Sequence, residues 1–436
     1  MRPRGAPERW SGRARRRARS GHEERRSHSQ SADTEPWLNR GVVAIGGSSL
    51  LADLGYEIPT ALLPAFLTST LGAPAAALGL VEGLADGLGG VARLGGGALA
   101  DDPERRRTTA VGGYTATAVL TAAIGLATAV WQAGLLRVAG WVARGLRSPA
   151  RSALLADVAP PAAYGRAYGL ERAMDNVGAI GGPLLGLALV GAVGIRTTIL
   201  LSVIPGLLAA AAIVIAIRSA PKIEPRERRP LRIRVRPVLQ GPLRRLFYGI
   251  GAFEIGNAAA TLLILRATDQ LDATHSHDSA VQLGLALYAG YNLAAAVTSV
   301  PAGRLHDRRG ALLVLVLGVA SFLAAYVGFA AVGASIVLLA ILFLLAGAGK
   351  GLVETAEQAA VAVHAPEEIR GSAFGLLAAV QSFGNLGASA VAGILWTLVS
   401  PRAAFVYLAA WMIVSLAALA RGARVSGQVD TGRTGG

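Results

Sequence analysis

Arg144-Gly-Leu-Arg-Ser-Pro-Ala-Arg151, Gly165-Arg-Ala-Tyr-Gly-Leu-Glu-Arg-Ala-Met-Asp175 and Gly178-Ala-Ile-Gly-Gly-Pro-Leu-Leu-Gly186 lie in one stretch that is apolar enough for lipid yet carries charges that lipid excludes. The stretch has an echo. Arg144-Gly-Leu146 returns as Lys350-Gly-Leu352, Pro160 as Pro366, and Gly165-Arg-Ala-Tyr-Gly-Leu170 as Gly371-Ser-Ala-Phe-Gly-Leu376. The offsets 350 − 144, 366 − 160 and 371 − 165 are all 206, as is 307 − 101 for Asp101 and Asp307. A constant offset close to half the chain marks an internal duplication.

The surroundings agree. Of 436 residues, 53% are hydrophobic and 16% charged, 55 are glycine, and the mean hydropathy is +0.48; this is the balance of an integral membrane protein. Roughly twelve apolar runs of about 20 residues, enough to cross a hydrocarbon core of about 30 Å, follow one another from residue 41 to 420. They predict an all-α protein of two pseudo-symmetric six-helix bundles, 41–218 and 244–420. A basic, proline-punctuated linker over 219–243 joins the bundles, and tails of 1–40 and 421–436 flank them. The tail 1–40 is arginine-rich and polar, and is read as disordered.

Cysteine is absent, which excludes disulfides, thiolate metal sites and cysteine nucleophiles. The net charge of +15 is concentrated in the tails, the linker and loops at helix ends. That distribution follows the positive-inside rule and not a nucleic-acid groove, and predicts cytoplasmic termini in the inner (plasma) membrane.

Charge is unevenly shared among the spans. The third, sixth, ninth and twelfth carry none, whereas the first holds Asp53 and Glu57, the fourth Arg137, Arg144, Arg147 and Arg151, the seventh Glu254, and the tenth Lys350, Glu354 and Glu357. A charge at the bilayer centre costs about 2.5–3.5 kcal/mol on insertion scales, so these side chains are expected to face an interior cavity, with every third helix turned to lipid.

At this point the chain resembles a major facilitator superfamily transporter over about 41–420. Gly97-Ala-Leu-Ala-Asp101 with Arg105, and Gly303-Arg-Leu-His-Asp307-Arg308-Arg309-Gly310, are similar to the family's loop motif in each half. The first copy departs from it at Asp102 and Glu104. The resemblance implies a cytoplasmic gate in which Asp101, Arg105 and Asp157 form an ion-pair latch. Gly169, Gly178, Gly182-Pro183 and Gly186 are similar to the signature of drug/metabolite:proton antiporters, with Leu187 replacing its last glycine; small residues four apart also let helices approach closely. Arg137 stands where the family has an arginine implicated in proton handling, without the glycines usual after it.

Coupling to protons requires buried carboxylates that exchange protons near neutral pH; Asp53, Glu57 and Glu254 are the candidates. Arg144, Arg147 and Arg151 on one helix, against Lys350, Glu354 and Glu357 at matching positions on its counterpart, suggest ion pairs across the cavity or a site for an anion. Gly347-Ala-Gly-Lys-Gly351 lacks the leading glycine and the Ser/Thr of a phosphate loop. His275, His277, Asp272 and Asp278 sit on a loop and are not read as a metal site, and no catalytic motif is present.

The expectation is therefore a monomeric secondary transporter, not an enzyme, without cofactor or metal. It would export a small organic molecule in exchange for protons. A transporter of an anionic metabolite and a non-transporting receptor or scaffold are the alternatives.

Overall fold

The computed structural model describes residues 36–221 and 231–431. Most of the expected tail over 1–40, the middle of the linker and the end of the tail 421–436 lie outside the described residues. The helices are α1 (Arg40–Ala65), continued by a π-turn over Phe66–Thr70, α2 (Ala75–Ala100), α3 (Pro103–Ala123), α4 (Val130–Val158), α5 (Tyr164–Leu201), α6 (Val203–Ser219), α7 (Gly241–Gly256), α8 (Thr261–Leu271), α9 (His277–Arg309), α10 (Ala311–Ala331), α11 (Ile336–His364), α12 (Arg370–Leu398) and α13 (Pro401–Thr431). Among the described residues there is no strand. Helix α13 runs on past residue 420, into the stretch read as a tail.

Local chemistry sets the helix starts. The Asn39 side chain accepts from the Val42 N–H. Asp102 accepts from the Glu104 and Arg105 N–H groups with Pro103 in the first helical position, and Ser276 and Ser335 cap α9 and α11. These are side-chain acceptors for orphan donors of the first turn. Within α5 the backbone breaks at Gly194 (φ 78°, ψ 165°), a conformation open essentially to glycine alone; it separates the fifth crossing from the sixth.

Nine segments of the described residues are long and apolar enough to cross a membrane, and one of them, 161–219, contains both of those crossings. Helices α2 and α4, of 26 and 29 residues, are not among the nine but have the length to cross. With them the bundle has the expected twelve crossings.

Helix α1 packs on α5 and α6, α2 on α4, and α3 on α4 and α6; in the second half α9 and α10 pack on α11, and α7 and α10 on α13. The halves meet through α2 against α12 and α5 against α9. The apolar clusters follow this plan. One, containing Val42, Leu154 and Tyr168 together with Ile250, Phe374 and Leu377, joins the halves at the face that carries the ends of α2 and α9. Two others are confined to one half each. The molecule is thus sealed at that one face.

The sealed face obeys the 206-residue offset. A Cβ on Gly303 would lie 2.1 Å from the Gly165 carbonyl oxygen, and one on Gly97 would lie 2.8 Å from that of Gly371; 97 and 165 map onto 303 and 371. Likewise Gly169 abuts the Ser299 carbonyl and Gly375 that of Arg93. The two contacts are images of each other, so the duplication read from the sequence is a structural two-fold. Bare backbones are what allow helices of opposite halves to touch.

Candidate functional site

Between the halves lies a cavity of about 630 Å³, lined from both. The uncharged spans stay out of it: α3, α6 and α13 contribute no lining residue and α10 only Phe322. Asp53 and Glu57 line it from α1, and their position is set by α5, where a Cβ on Gly178 would lie 2.7 Å from the Asp53 Cβ and one on Gly182 2.6 Å from that of Glu57. Gly178 and Gly182 of the antiporter-type motif therefore hold the two acidic residues in place, whereas a Cβ on Gly186 would make only ordinary contact with Ile58, at 3.6 Å. Pro183 lies in the same helix.

Toward the sealed face the cavity ends in a tight ionic network. Arg151 holds Glu171 at 2.9 Å, Ser49 at 2.9 Å and Asp175 at 3.4 Å. Arg172 holds Glu171 at 2.7 Å and approaches Glu354, of the other half, at 3.9 Å. Lys350 donates to Asn176 at 2.9 Å and to Asn292 at 3.4 Å. Charges buried in this way are matched by fixed partners, as removal from water requires.

Higher on the wall, Arg144 donates to the Tyr56 hydroxyl at 2.7 Å and lies 4.4 Å from that ring and 5.5 Å from that of Trp141. Arg137 lies 3.4 Å over Trp141 and pairs with Glu82 at 2.9 Å. On the opposite wall the seventh crossing is cut between α7 and α8. Asn257 donates to Glu254 at 3.0 Å, while Asn385 donates to the Asn257 carbonyl and Ser389 accepts from the Ala259 N–H, both at 2.8 Å. Side chains of α12 thus supply what a continuous helix would have supplied itself.

Three charged residues expected to face the cavity, Arg137, Arg147 and Glu357, do not line it. Arg147 is buried against the Tyr114 ring at 3.8 Å inside the first half, because three residues on from Arg144 the side chain points past the cavity toward α3. Glu357 is fully buried under Gln381, which donates to it at 2.8 Å. The pairing across the cavity also differs from the expectation: Lys350 and Glu354 meet α5 and α9 rather than the arginines of α4. Arg93, Tyr56, Arg172, Asp175 and Asn176 are lining residues that the sequence reading did not assign to the cavity.

At the sealed face, Asp307 accepts from the N–H of Gly165 at 2.7 Å, the N–H of Arg166 at 3.2 Å and the Arg166 Nε at 2.8 Å. Asp101 accepts from the Ser372 N–H at 2.8 Å and from the Ser372 hydroxyl. Each carboxylate caps the start of a helix in the opposite half, where backbone donors and the helix dipole favour an anion. Burial pushes the Asp101 carboxyl above the usual carboxylate range, against the pull of the two Ser372 hydrogen bonds. The latch arginine differs from the expected one: Asp157 meets Arg106, which is 1% exposed, and Arg370 at 3.9 Å. Arg308 is exposed and takes no part.

Residues 45–274 and 246–434 match the profile of the Major Facilitator Superfamily. The chain is 28% identical over 381 residues, 87% of its length and 94% of the other, to an uncharacterized MFS-type transporter of Methanocaldococcus jannaschii. It is 30% identical over 379 residues, 84% of its length and 89% of the other, to an uncharacterized protein of Mycobacterium tuberculosis. In fold it is similar to a bacterial homologue of the iron transporter ferroportin in an outward-facing state (TM-score 0.72, 14% identity, 88% of this chain and 100% of that one). It is also similar to the human organic anion transporter MFSD10 (TETRAN) (TM-score 0.65, 17% identity, 88% and 100%).

Proposed function

The chain belongs to the major facilitator superfamily and is a multi-pass membrane transporter, and from that premise we propose that it exports a small organic molecule in exchange for protons by alternating access. The observation that carries the reading is the polar cavity between the halves, lined by Asp53, Glu57 and Glu254 and closed at one face by two equivalent latches. A site that opens to one side of a membrane at a time needs a seal that can exist at either face, and contacts made of backbone and a few ion pairs form and break as units. The sealed face is assigned to the cytoplasm, with both termini on that side, which leaves the cavity directed outward.

Carboxylates supply the coupling. Asp53 and Glu57 exchange protons as the cavity changes its exposure, and the ionic network below them registers the change because Arg172 and Lys350 contact both halves. The test is exchange in inverted vesicles carrying a preset inward proton gradient, challenged with a broad panel of small organic solutes. A transported solute releases the gradient in the parent, and Asp53→Asn and Glu57→Gln move solute without releasing it. If no solute releases the gradient, or both variants exchange like the parent, the coupling assignment is wrong.

A further inference from the structure

The cavity holds charges of both signs that make no direct ion pair. Of its cations, Arg151 and Arg172 are neutralised by Glu171 and Asp175. Arg93, Arg144 and Lys350 make no ion pair: Arg93 donates to the Ala378 carbonyl at 2.9 Å and its buried Nε has no partner among the described residues, Arg144 donates to the Tyr56 hydroxyl and lies against the Tyr56 and Trp141 rings, and Lys350 donates to two amide oxygens. Among the described residues none of the three has a carboxylate within ion-pair distance, 4.0 Å. Neutral acceptors make the direct contacts, while carboxylates of the same cavity act on these groups only from longer range: Asp53, Glu57 and Asp175 on Arg144, and Asp86 on Arg93. On the other wall Glu254, 3% exposed, has one amide donor and, among the described residues, no cation within 4.0 Å. A buried charge whose counter-charges stand off without touching it is only partly compensated, and a ligand group that makes direct contact completes the compensation.

We propose that the substrate is amphoteric: its carboxylate, phosphate or sulfate group is held by Arg93, Arg144 and Lys350, and its amine by Glu254. The guanidinium forks suit a planar or tetrahedral oxyanion. The two poles are separated by a short chain. Arg93 donates to α12 at Ala378, and the Cβ and main chain of Glu254 abut α12 at Gly384, so the two walls meet α12 six residues, about 9 Å of helix rise, apart. Arg93 and Arg144 belong to one half and Lys350 and Glu254 to the other, so the site is complete only when the halves are together. The amine and the proton compete for a carboxylate, which is the relation exchange requires; the inference rests on the cavity being the substrate site.

The experiment uses the full chain in phosphatidylcholine nanodiscs with Trp141 as the sole tryptophan, the others replaced by phenylalanine. Acrylamide quenching tests whether the cavity admits solutes at all. Protection of Trp141 from iodide is then titrated with 6-aminohexanoate, hexanoate and hexylamine at constant ionic strength. We expect 6-aminohexanoate to protect at about tenfold lower concentration than hexanoate, the ratio carried by one charge-assisted contact, and hexylamine not to protect. Glu254→Gln brings 6-aminohexanoate to the level of hexanoate and leaves hexanoate unchanged. Arg144→Gln and, independently, Lys350→Gln remove protection by both while acrylamide quenching is unaltered. Equal protection by the two acids, or an unchanged ratio in Glu254→Gln, overturns the amphoteric substrate. Trp141 that acrylamide cannot reach overturns instead the open cavity on which the export reading stands. Protection lost only when phosphatidylethanolamine is added assigns the poles to a lipid headgroup and likewise overturns the proposal.

Discussion

Replacing Gly303 with alanine is the most direct probe of the seal. The new Cβ would lie 2.1 Å from the Gly165 oxygen and 2.5 Å from its carbon, where ordinary contact begins at 3.4 Å. Neither obstacle is a flexible side chain, so α5 and α9 must part by about 1.3 Å (3.4 − 2.1). Asp307 bridges that same gap, and a 2.7 Å bond to the Gly165 N–H does not survive such a displacement. Losing even one hydrogen bond to a charged acceptor, about 2 kcal/mol, shifts the equilibrium between sealed and open forms about 30-fold. The contacts inside each half are untouched, so the fold persists. Because the chain has no cysteine, spin labels at Ala162→Cys and Arg304→Cys, both exposed beside the contact, report the separation without background. Gly303→Ala is expected to turn a narrow distance distribution into a broad, longer one, and Gly191→Ala, where no atom lies within 4 Å of the added carbon, is expected to do nothing. An unchanged narrow distribution in Gly303→Ala refutes the role given to the glycine contact.

Three further outcomes follow from the same geometry. Burial raises the Asp101 carboxyl in the sealed state, whereas an open face leaves it hydrated; the sealed state therefore takes up a proton first, is favoured as pH falls into the acid range, and loses that advantage as pH rises through the raised value. Spin-label distances titrated with acid read this, and Asp101→Asn flattens the response. Arg106→Gln strips the buried partner from Asp157 and lowers stability by about 3 kcal/mol, seen as a fall in unfolding temperature; a fall no larger than that of Arg308→Gln contradicts it. Gly194→Ala adds a side chain where there is space but φ is +78°, so any loss is conformational, about 1–3 kcal/mol; an unaltered melting curve dismisses the strain.

The architecture was legible because lipid penalises charge so heavily: spans without charge had to be the outer ones, and the 206-residue offset fixed the pairing of the halves. The site was legible only in part. Arg144 and Arg147, three apart on one helix, look alike in sequence, and only the facing helices decide that the first meets the cavity and the second Tyr114. Glu354 and Glu357 divide in the same way, one lining the cavity and one under Gln381. The latch needed the loop conformation, since Arg105 and Arg106 are neighbours and α3's start selects which of them reaches Asp157. Least visible was the gap in the seventh crossing. Asn257-Ala-Ala-Ala260 is a sequence a helix accepts, and it is unwound because Asn385 and Ser389, four apart on α12, take hold of its main chain.

That gap makes a symmetric body mechanically lopsided. Its counterpart α1 is one helix of 26 residues with Pro59 and Pro64 within it, while the seventh crossing is two helices of 16 and 11 residues meeting at a joint. A continuous helix on one side and a jointed one on the other bend at different places, so the stroke that exposes one face of the membrane need not retrace the stroke that exposes the other.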